Sequence, residues 1–283
     1  MTERGDPWDI PEWHSIRQEA MLIQQLLGSG ATALGRANYA DKKGVYYTAF
    51  FGLSVGLERL CKLVLIVDYA LKNQGQMPSQ DLVKKFGHNI VKLMRKAERV
   101  SVAHSLSLDY QKPEDSVAKA IVTNLDAFAD AQRGRYANFA SICDPNLTRD
   151  EPLSKWWNQV AKEILNQRYF GTAAQERIEN NARVIDAMLS KYTIVQHFSE
   201  EREQIDNLET ASIRTGQTEI VQKWSRYHSL TIIRWLSGIY SKLAYGAVCK
   251  HQHDAFFGTW EFFYTYTVSD NFLKSRKIWP LNR

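Results

Sequence analysis

Arg99 and His104 are separated by four residues, in an Arg-x4-His arrangement. A histidine can move a proton at a ribose 2′-hydroxyl or at a leaving oxygen, and an arginine can stabilise the charge that builds on a phosphorane. The pair could therefore support cleavage of RNA. Because both residue types are common, the spacing also fits a surface arginine that ends a helix and a histidine in the following loop.

A row of basic side chains precedes that histidine at helical spacing. Lys92, Arg95, Lys96 and Arg99 stand at i, i+3, i+4 and i+7, so they share one face of a predicted helix. Such a stripe could follow the phosphate backbone of a nucleic acid. The same pattern is typical of the solvated side of an amphipathic helix, and both interpretations stay open.

Cysteine and histidine spacing gives little support for a metal. On a continuing helix Cys249 and His253 would face together, but zinc normally takes three or four ligands and no second half of a site is visible. Cys61, Cys143 and Cys249 are far apart and odd in number, which argues against a disulfide framework. We therefore predict neither a metal site nor a cofactor, and a reducing, cytoplasmic location.

The composition favours helices. The chain has 283 residues, 44% of them hydrophobic, with only 15 glycines and 7 prolines, which indicates long uninterrupted helices and a sizeable core. The net charge of +5 permits an anionic partner without requiring one.

No membrane segment or targeting signal is predicted. The most hydrophobic run, GLERLCKLVLIVDYAL, contains Glu58, Arg59, Lys62 and Asp68, which are too many charges for a membrane span. The N-terminal MTERGDPWDIPEW lacks the apolar region of a signal peptide. We therefore expect a soluble protein without membrane partners.

Apolar residues recur at helical spacing along most of the chain, with breaks at KNQGQMPSQD, DYQKPED and TRDEPLSKWW. The acidic stretch SEEREQIDNLETAS is predicted to be a mobile loop. A helix opening at Pro113-Glu114-Asp115 is predicted to continue through RGRYANF. The other predicted helices cover about 11–27, 31–39, 45–71, 81–106 with an interruption at Gly87, 155–168, 172–198 and 219–249.

The C-terminal part is basic and rich in aromatic residues. From Lys223 onward it has nine Lys or Arg against three Asp or Glu. Its aromatic side chains could stack bases, or they could form the core of a helical part or a protein interface. Apolar and polar residues alternate along 255–267 well enough for a strand, and the same stretch could equally be a helix packed on two sides.

Three features occur in order along residues 46–142. The first is YYTAFFGLSVGLERLCKLVLI, a helix with Glu58 and Lys62 one turn apart. The second is KFGHNIVKL, in which Gly87-His88 opens a helix, and the third is LDAFADAQRGRYANF, which ends in Arg-Gly-Arg-Tyr. Together they resemble the HEPN superfamily, named for its occurrence in higher eukaryotes and prokaryotes and for nucleotide binding.

The resemblance implies a helical bundle, often paired as a dimer, and in many active members a metal-independent ribonuclease with an Arg-x4-6-His motif. This sequence departs from that motif, because Asn138 and Ala140 stand where the histidine would follow Arg133 and Arg135. The catalytic candidates that the resemblance implies are Arg133, Arg135, Tyr136 and His88, with Arg99 and His104 as the fallback.

Each candidate also has a structural interpretation. One of the two arginines could form a salt bridge to Glu58 while Tyr136 packs its ring, and His88 could cap the helix that it precedes. As a functional residue, His88 could instead reach across to Arg133 or Arg135.

We thus predict an all-α protein with a HEPN-like bundle in residues 1–148 and a basic, aromatic-rich helical part in 149–283, which could pack as one unit. The resemblance implies an RNA-directed effector, a ribonuclease or an RNA-binding protein, of a prokaryotic defence or toxin system. The alternative is a non-catalytic module that forms a homodimer or recruits a partner protein, and the absent histidine favours it.

Overall fold

The computed structural model of the chain describes residues 6–38, 43–130, 151–201 and 203–281. It is 74% helical, with one small two-stranded sheet, which confirms the predicted all-α class. The helices are α1 (Pro11–Leu34), α2 (Lys43–Lys72), α3 (Gln80–Lys85), α4 (Ile90–Ala103), α5 (Ser116–Ala129), α6 (Pro152–Trp156), α7 (Lys162–Arg168), α8 (Ala173–Leu189), α9 (Leu208–His251) and α10 (Asp270–Ser275). A π-helical turn, Trp157–Ala161, joins α6 to α7.

The chain divides into two compact units, each built from separate stretches of sequence. The first comprises residues 1–30, 52–113 and 230–283, and the second comprises 31–51 and 114–229. Helices α1, α2 and α9 each contribute residues to both. The predicted boundary near residue 148 lies outside the described residues.

In the first unit, glycines let α1 and α2 approach closely. A Cβ atom on Gly52 would lie 2.8 Å from the carbonyl oxygen of Leu26 and 3.1 Å from the Cα of Gly30. These neighbours are backbone atoms, which cannot move aside as a flexible side chain can. The fully buried Ile23, Leu27 and Leu53 belong to the core at this crossing.

The ambiguous C-terminal stretch is neither a strand nor an α-helix. It forms two 3-10 turns, Asp254–Phe256 and Thr259–Phe263. Phe256 and Phe263 are completely buried, and the Tyr240 ring lies edge-on to Phe263 with centroids 4.9 Å apart. These aromatic side chains are core, whereas others in the same part of the chain, including Tyr245, remain exposed.

In the second unit, the π-helical turn carries part of the core. Trp157 and Tyr169 are buried in a cluster with Val221 of α9. Nearby, Phe50 contacts Trp156, with ring centroids 4.9 Å apart. Large aromatic side chains thus fill this unit.

Several helix boundaries differ from the prediction because of capping. The separate segment predicted at 31–39 is not formed, because α1 continues to Leu34 and the described residues after it are not helical. The predicted interruption at Gly87, whose φ is 86°, is confirmed. The helix predicted to start at 219 begins at Leu208, since Asn207 accepts a hydrogen bond from the Thr210 N–H at 2.8 Å.

The helix predicted over 172–198 is shorter than expected. Helix α8 ends at Leu189, and Thr193 is already extended. The acidic stretch that begins at Ser199 closes a hairpin, in which β1 (His197–Phe198) pairs antiparallel with β2 (Gln204–Ile205), and its last residues form the start of α9 at Leu208.

The glycine crossing can be tested with a matched pair of variants. Gly52→Ala places a methyl group against backbone, so we expect the free energy of unfolding to fall by about 1–3 kcal/mol. Gly246→Ala in α9 meets nothing within 4 Å, and we expect a gain of up to about 1 kcal/mol from helix propensity. Urea unfolding followed by circular dichroism measures both. Equal effects of the two variants would contradict close packing at Gly52.

Candidate functional site

Two of the three ordered sequence features meet in the first unit. The Glu58 carboxylate accepts a hydrogen bond from Lys62 Nζ at 2.7 Å, and His88 Nδ1 lies 3.0 Å from the same oxygen. The side chains of Glu58 and Lys62 are only 17% and 15% exposed, whereas that of His88 is 79% exposed. The carboxylate is thus held in place, and the imidazole lies at the surface beside it.

This arrangement is capable of proton transfer. A carboxylate bonded to one ring nitrogen orients an imidazole and fixes which nitrogen carries the proton. With Nδ1 of His88 engaged by Glu58, Nε2 is the nitrogen that remains for an external group. Phosphodiester chemistry also requires a cation for the phosphate oxygens, and Lys62 is already bonded to the carboxylate.

The predicted capping role of His88 is wrong. The residue that caps α4 is the next one, Asn89, whose side chain accepts a hydrogen bond from the Lys92 N–H at 2.8 Å. Asparagine is favoured at this position because its short carbonyl reaches the unpaired N–H groups of the first turn. The bond of His88 to Glu58 therefore joins the start of α4 to α2.

The other end of α4 is joined to α2 in the same way. His104, the C-cap residue of α4, places Nε2 2.8 Å from Oδ1 of Asp68, while Lys72 donates to Oδ2 of that carboxylate at 2.8 Å. The imidazole of His104 is thus engaged in an ion-paired cluster. No contact in the described ranges joins Arg99 to His104, so the Arg-x4-His spacing brings no pair together here.

The basic row of α4 divides into an exposed part and a bonded part. Lys92, Arg95 and Arg99 are exposed, whereas Lys96 is half-buried and donates to the carbonyl oxygen of Phe86 at 3.2 Å. The buried face of the helix consists of Ile90, Leu93, Met94, Ala97 and Val100.

A shallow open groove runs beside the exposed part of this row. Arg95 and Arg99 line it together with Glu98, Lys112 and Val102, the last of which is 75% exposed. Lys112 is ion-paired with Glu98 at 2.9 Å. The groove thus combines two cationic side chains with exposed apolar surface.

The remaining catalytic candidates, Arg133, Arg135 and Tyr136, lie outside the described residues. Their relation to His88 is therefore still the prediction made from the resemblance.

The second unit contains a buried charged cluster that the sequence did not reveal. Glu200 is fully buried, and Arg214 donates from Nε to its carboxylate at 3.2 Å, with Nη2 3.1 Å away. The Tyr46 hydroxyl lies 3.4 Å from the other oxygen. Burial is the main cause of the raised pKa values of Glu200 and Tyr46. Nothing in the polar stretch around Glu200 indicated a buried residue, since the partners are distant in sequence.

Arg226 is a second buried charge that the sequence did not reveal. It is 4% exposed, and burial lowers the pKa of its guanidinium. It fills the space beside Gly35, just after the C-terminal end of α1, where the helix dipole is negative. The negative end of the helix dipole therefore accounts for the burial of a cation at this position.

The cysteine and histidine pair at the end of α9 does not share a helix. The helix ends at His251, and Gln252 has a φ of 57°, so His253 lies beyond the turn. Cys61 is fully buried, and burial raises the pKa of its thiol. Within the ranges that the structure describes, no group of three or more His, Cys, Asp or Glu is placed to hold a metal ion.

None of the helices in the described part of the chain combines the length and the apolar character needed to cross a membrane. Comparison with known proteins returns no match among family models, curated proteins or solved structures.

The Glu58 cluster can be tested by removing its charge. Glu58→Gln leaves the half-buried Lys62 without a carboxylate, so we expect the free energy of unfolding to fall by about 1–3 kcal/mol. Asp81→Asn removes the carboxylate from the exposed Lys84–Asp81 pair. This control should change the free energy of unfolding by less than about 0.5 kcal/mol. Chemical denaturation at pH 7 compares the two. If Glu58→Gln were as stable as the parent protein, the cluster would not hold α2 and α4 together.

Proposed function

We propose that this protein binds RNA through the exposed face of α4 and acts as an RNA-directed effector of a prokaryotic defence or toxin system. The observation that carries the proposal is the row Lys92, Arg95 and Arg99, three exposed cations at i, i+3 and i+7. In the described ranges none of the three forms an ion pair with a carboxylate, whereas Lys62, Lys72, Lys84 and Lys119 do. Unpaired cations at regular spacing suit a phosphate backbone.

The groove beside this row supports a single strand as the ligand. Proteins that bind single-stranded nucleic acid combine a cationic groove, which follows the phosphates, with side chains that contact the bases, most often aromatic ones. Arg95 and Arg99 supply the charge, and the exposed side chain of Val102 supplies apolar area. The bonds of His88 and His104 to α2 hold this helix at both ends, so its cations are presented on a fixed element.

Cleavage of the bound RNA is the second part of the proposal, and it rests on the HEPN resemblance. Arg133 and Arg135 would stabilise the charge on the phosphorane, with Tyr136 beside them. His88 would transfer the proton through Nε2, the nitrogen that Glu58 leaves available. This role for His88 replaces the histidine that the sequence lacks after the arginines.

RNA binding should depend on the three cations of α4. Replacing Lys92, Arg95 and Arg99 together by Gln should weaken the binding of a labelled single-stranded RNA at least tenfold. It should also reduce the slope of log K against log salt concentration by about 2 in magnitude, since each phosphate contact to a single strand contributes about 0.7 to that slope. Fluorescence anisotropy at several salt concentrations measures both quantities.

The matched control replaces Lys72, Lys84 and Lys119 by Gln, which changes the net charge equally but removes cations that are already paired. This control should bind like the parent. A parent protein that binds no RNA, or two triple variants that behave alike, would contradict the proposed interface.

Cleavage should respond to the predicted catalytic residues. With labelled tRNA or total RNA as substrate, Arg135→Ala and His88→Ala should each slow cleavage at least a hundredfold, because each removes a group that acts in the transition state. His104→Ala should cut within a few-fold of the parent, since its Nε2 is bonded to Asp68. Unchanged cleavage in Arg135→Ala and His88→Ala, or no cleavage by the parent, would exclude this ribonuclease mechanism while leaving RNA binding in place.

A further inference from the structure

The second unit exposes a run of large apolar side chains at the end of α8 and in the segment that follows it. We call residues 184–198 the apolar arm. Its exposed apolar members and their exposed fractions are Val184 (58%), Ile185 (39%), Met188 (68%), Leu189 (48%), Tyr192 (85%), Ile194 (89%) and Phe198 (55%). Single exposed apolar residues are common on proteins, but seven within fifteen residues of chain are not.

The first half of α8 packs against the core of the second unit, whereas the arm that follows does not. Ile178 packs against the buried cluster that contains Trp157, Tyr169 and Val221, and Ala182 is fully buried. From Arg183 to Phe198 no residue is buried, and burial resumes at Ser199. The arm therefore extends from a fixed helix, and its seven large apolar residues stay exposed among the described residues, although its last two residues pair with β2.

The exposed area of the arm matches one side of a stable protein interface. Taking about 170 Å² for a fully exposed large apolar residue, the seven residues together expose roughly 700–800 Å². A standard interface buries about 800 Å² on each partner. Patches larger than a few hundred Å² are typically contact sites.

The charge of the arm suits a second copy of the same chain. Its only Asp, Glu, Lys or Arg residues are Asp186 and Lys191, so it carries no net charge when His197 is neutral. Two identical apolar surfaces without net charge can meet across a twofold axis without electrostatic repulsion. A partner with a strongly charged docking surface would find only one residue of opposite charge in the arm.

We propose that the apolar arm is a homodimer interface, in which the arms of two copies cover each other. This surface lies outside residues 46–142, the part of the chain that resembles the HEPN superfamily. The arm belongs to the second unit, whereas α4 belongs to the first.

The test is the mass of the full chain in solution. Sedimentation equilibrium and light scattering over a range of micromolar concentrations should give twice the monomer mass of 32.6 kDa. The double variant Met188→Glu with Tyr192→Glu should raise the dimer dissociation constant at least a hundredfold. Both residues are exposed, so its circular dichroism spectrum and melting temperature, measured at a concentration where the parent is monomeric, should match those of the parent.

The double variant Met21→Glu with Leu22→Glu is the matched control, since it places the same two charges on exposed apolar residues of a helix outside the arm. It should dimerise like the parent. A parent protein that is monomeric throughout, a dimer that persists in the arm variant with the parent's affinity, or equal dissociation in the control variant would each overturn the proposal. A monomeric parent that binds a different protein through the arm would overturn the assignment of a second copy.

Discussion

The position of α4 depends on two carboxylates of α2. Glu58 contacts the imidazole just before the helix, and Asp68 contacts the imidazole at its C-cap. With both ends held, the helix has one orientation, in which its apolar residues are buried and its basic residues face solvent. Each carboxylate also bonds a lysine one turn further along α2. Residues that resemble a catalytic set thus also have a structural role in this fold.

The helical class and most helices could be predicted from the sequence, because periodicity and capping residues are local signals. The interruption at Gly87 is an example, since glycine readily adopts the positive φ found there. The same local signals failed where two capping residues adjoin. Between His88 and Asn89 only the structure shows which one bonds to the helix N–H groups.

The sequence could not predict contacts between distant polar residues. Glu200 and Arg214 lie in and near a stretch whose composition suggests a solvated loop, yet Tyr46, far away in sequence, covers the carboxylate. In the same way, His104 was expected beside an arginine of its own helix and pairs instead with Asp68. Spacing along a helix shows which residues share a face, but it does not show which other element covers that face.

The buried pair of Glu200 and Arg214 has a consequence for the exposed segment before it. Ala182 fixes one end of that segment and the hairpin at Ser199 fixes the other, because Glu200 is tied to α9. The segment is therefore a closed loop with two anchored ends and not a free tail. Chain closure has already removed much of its conformational entropy during folding, so less is left to lose when a partner orders it. Any complex formed there gains affinity through preorganisation of the unbound chain.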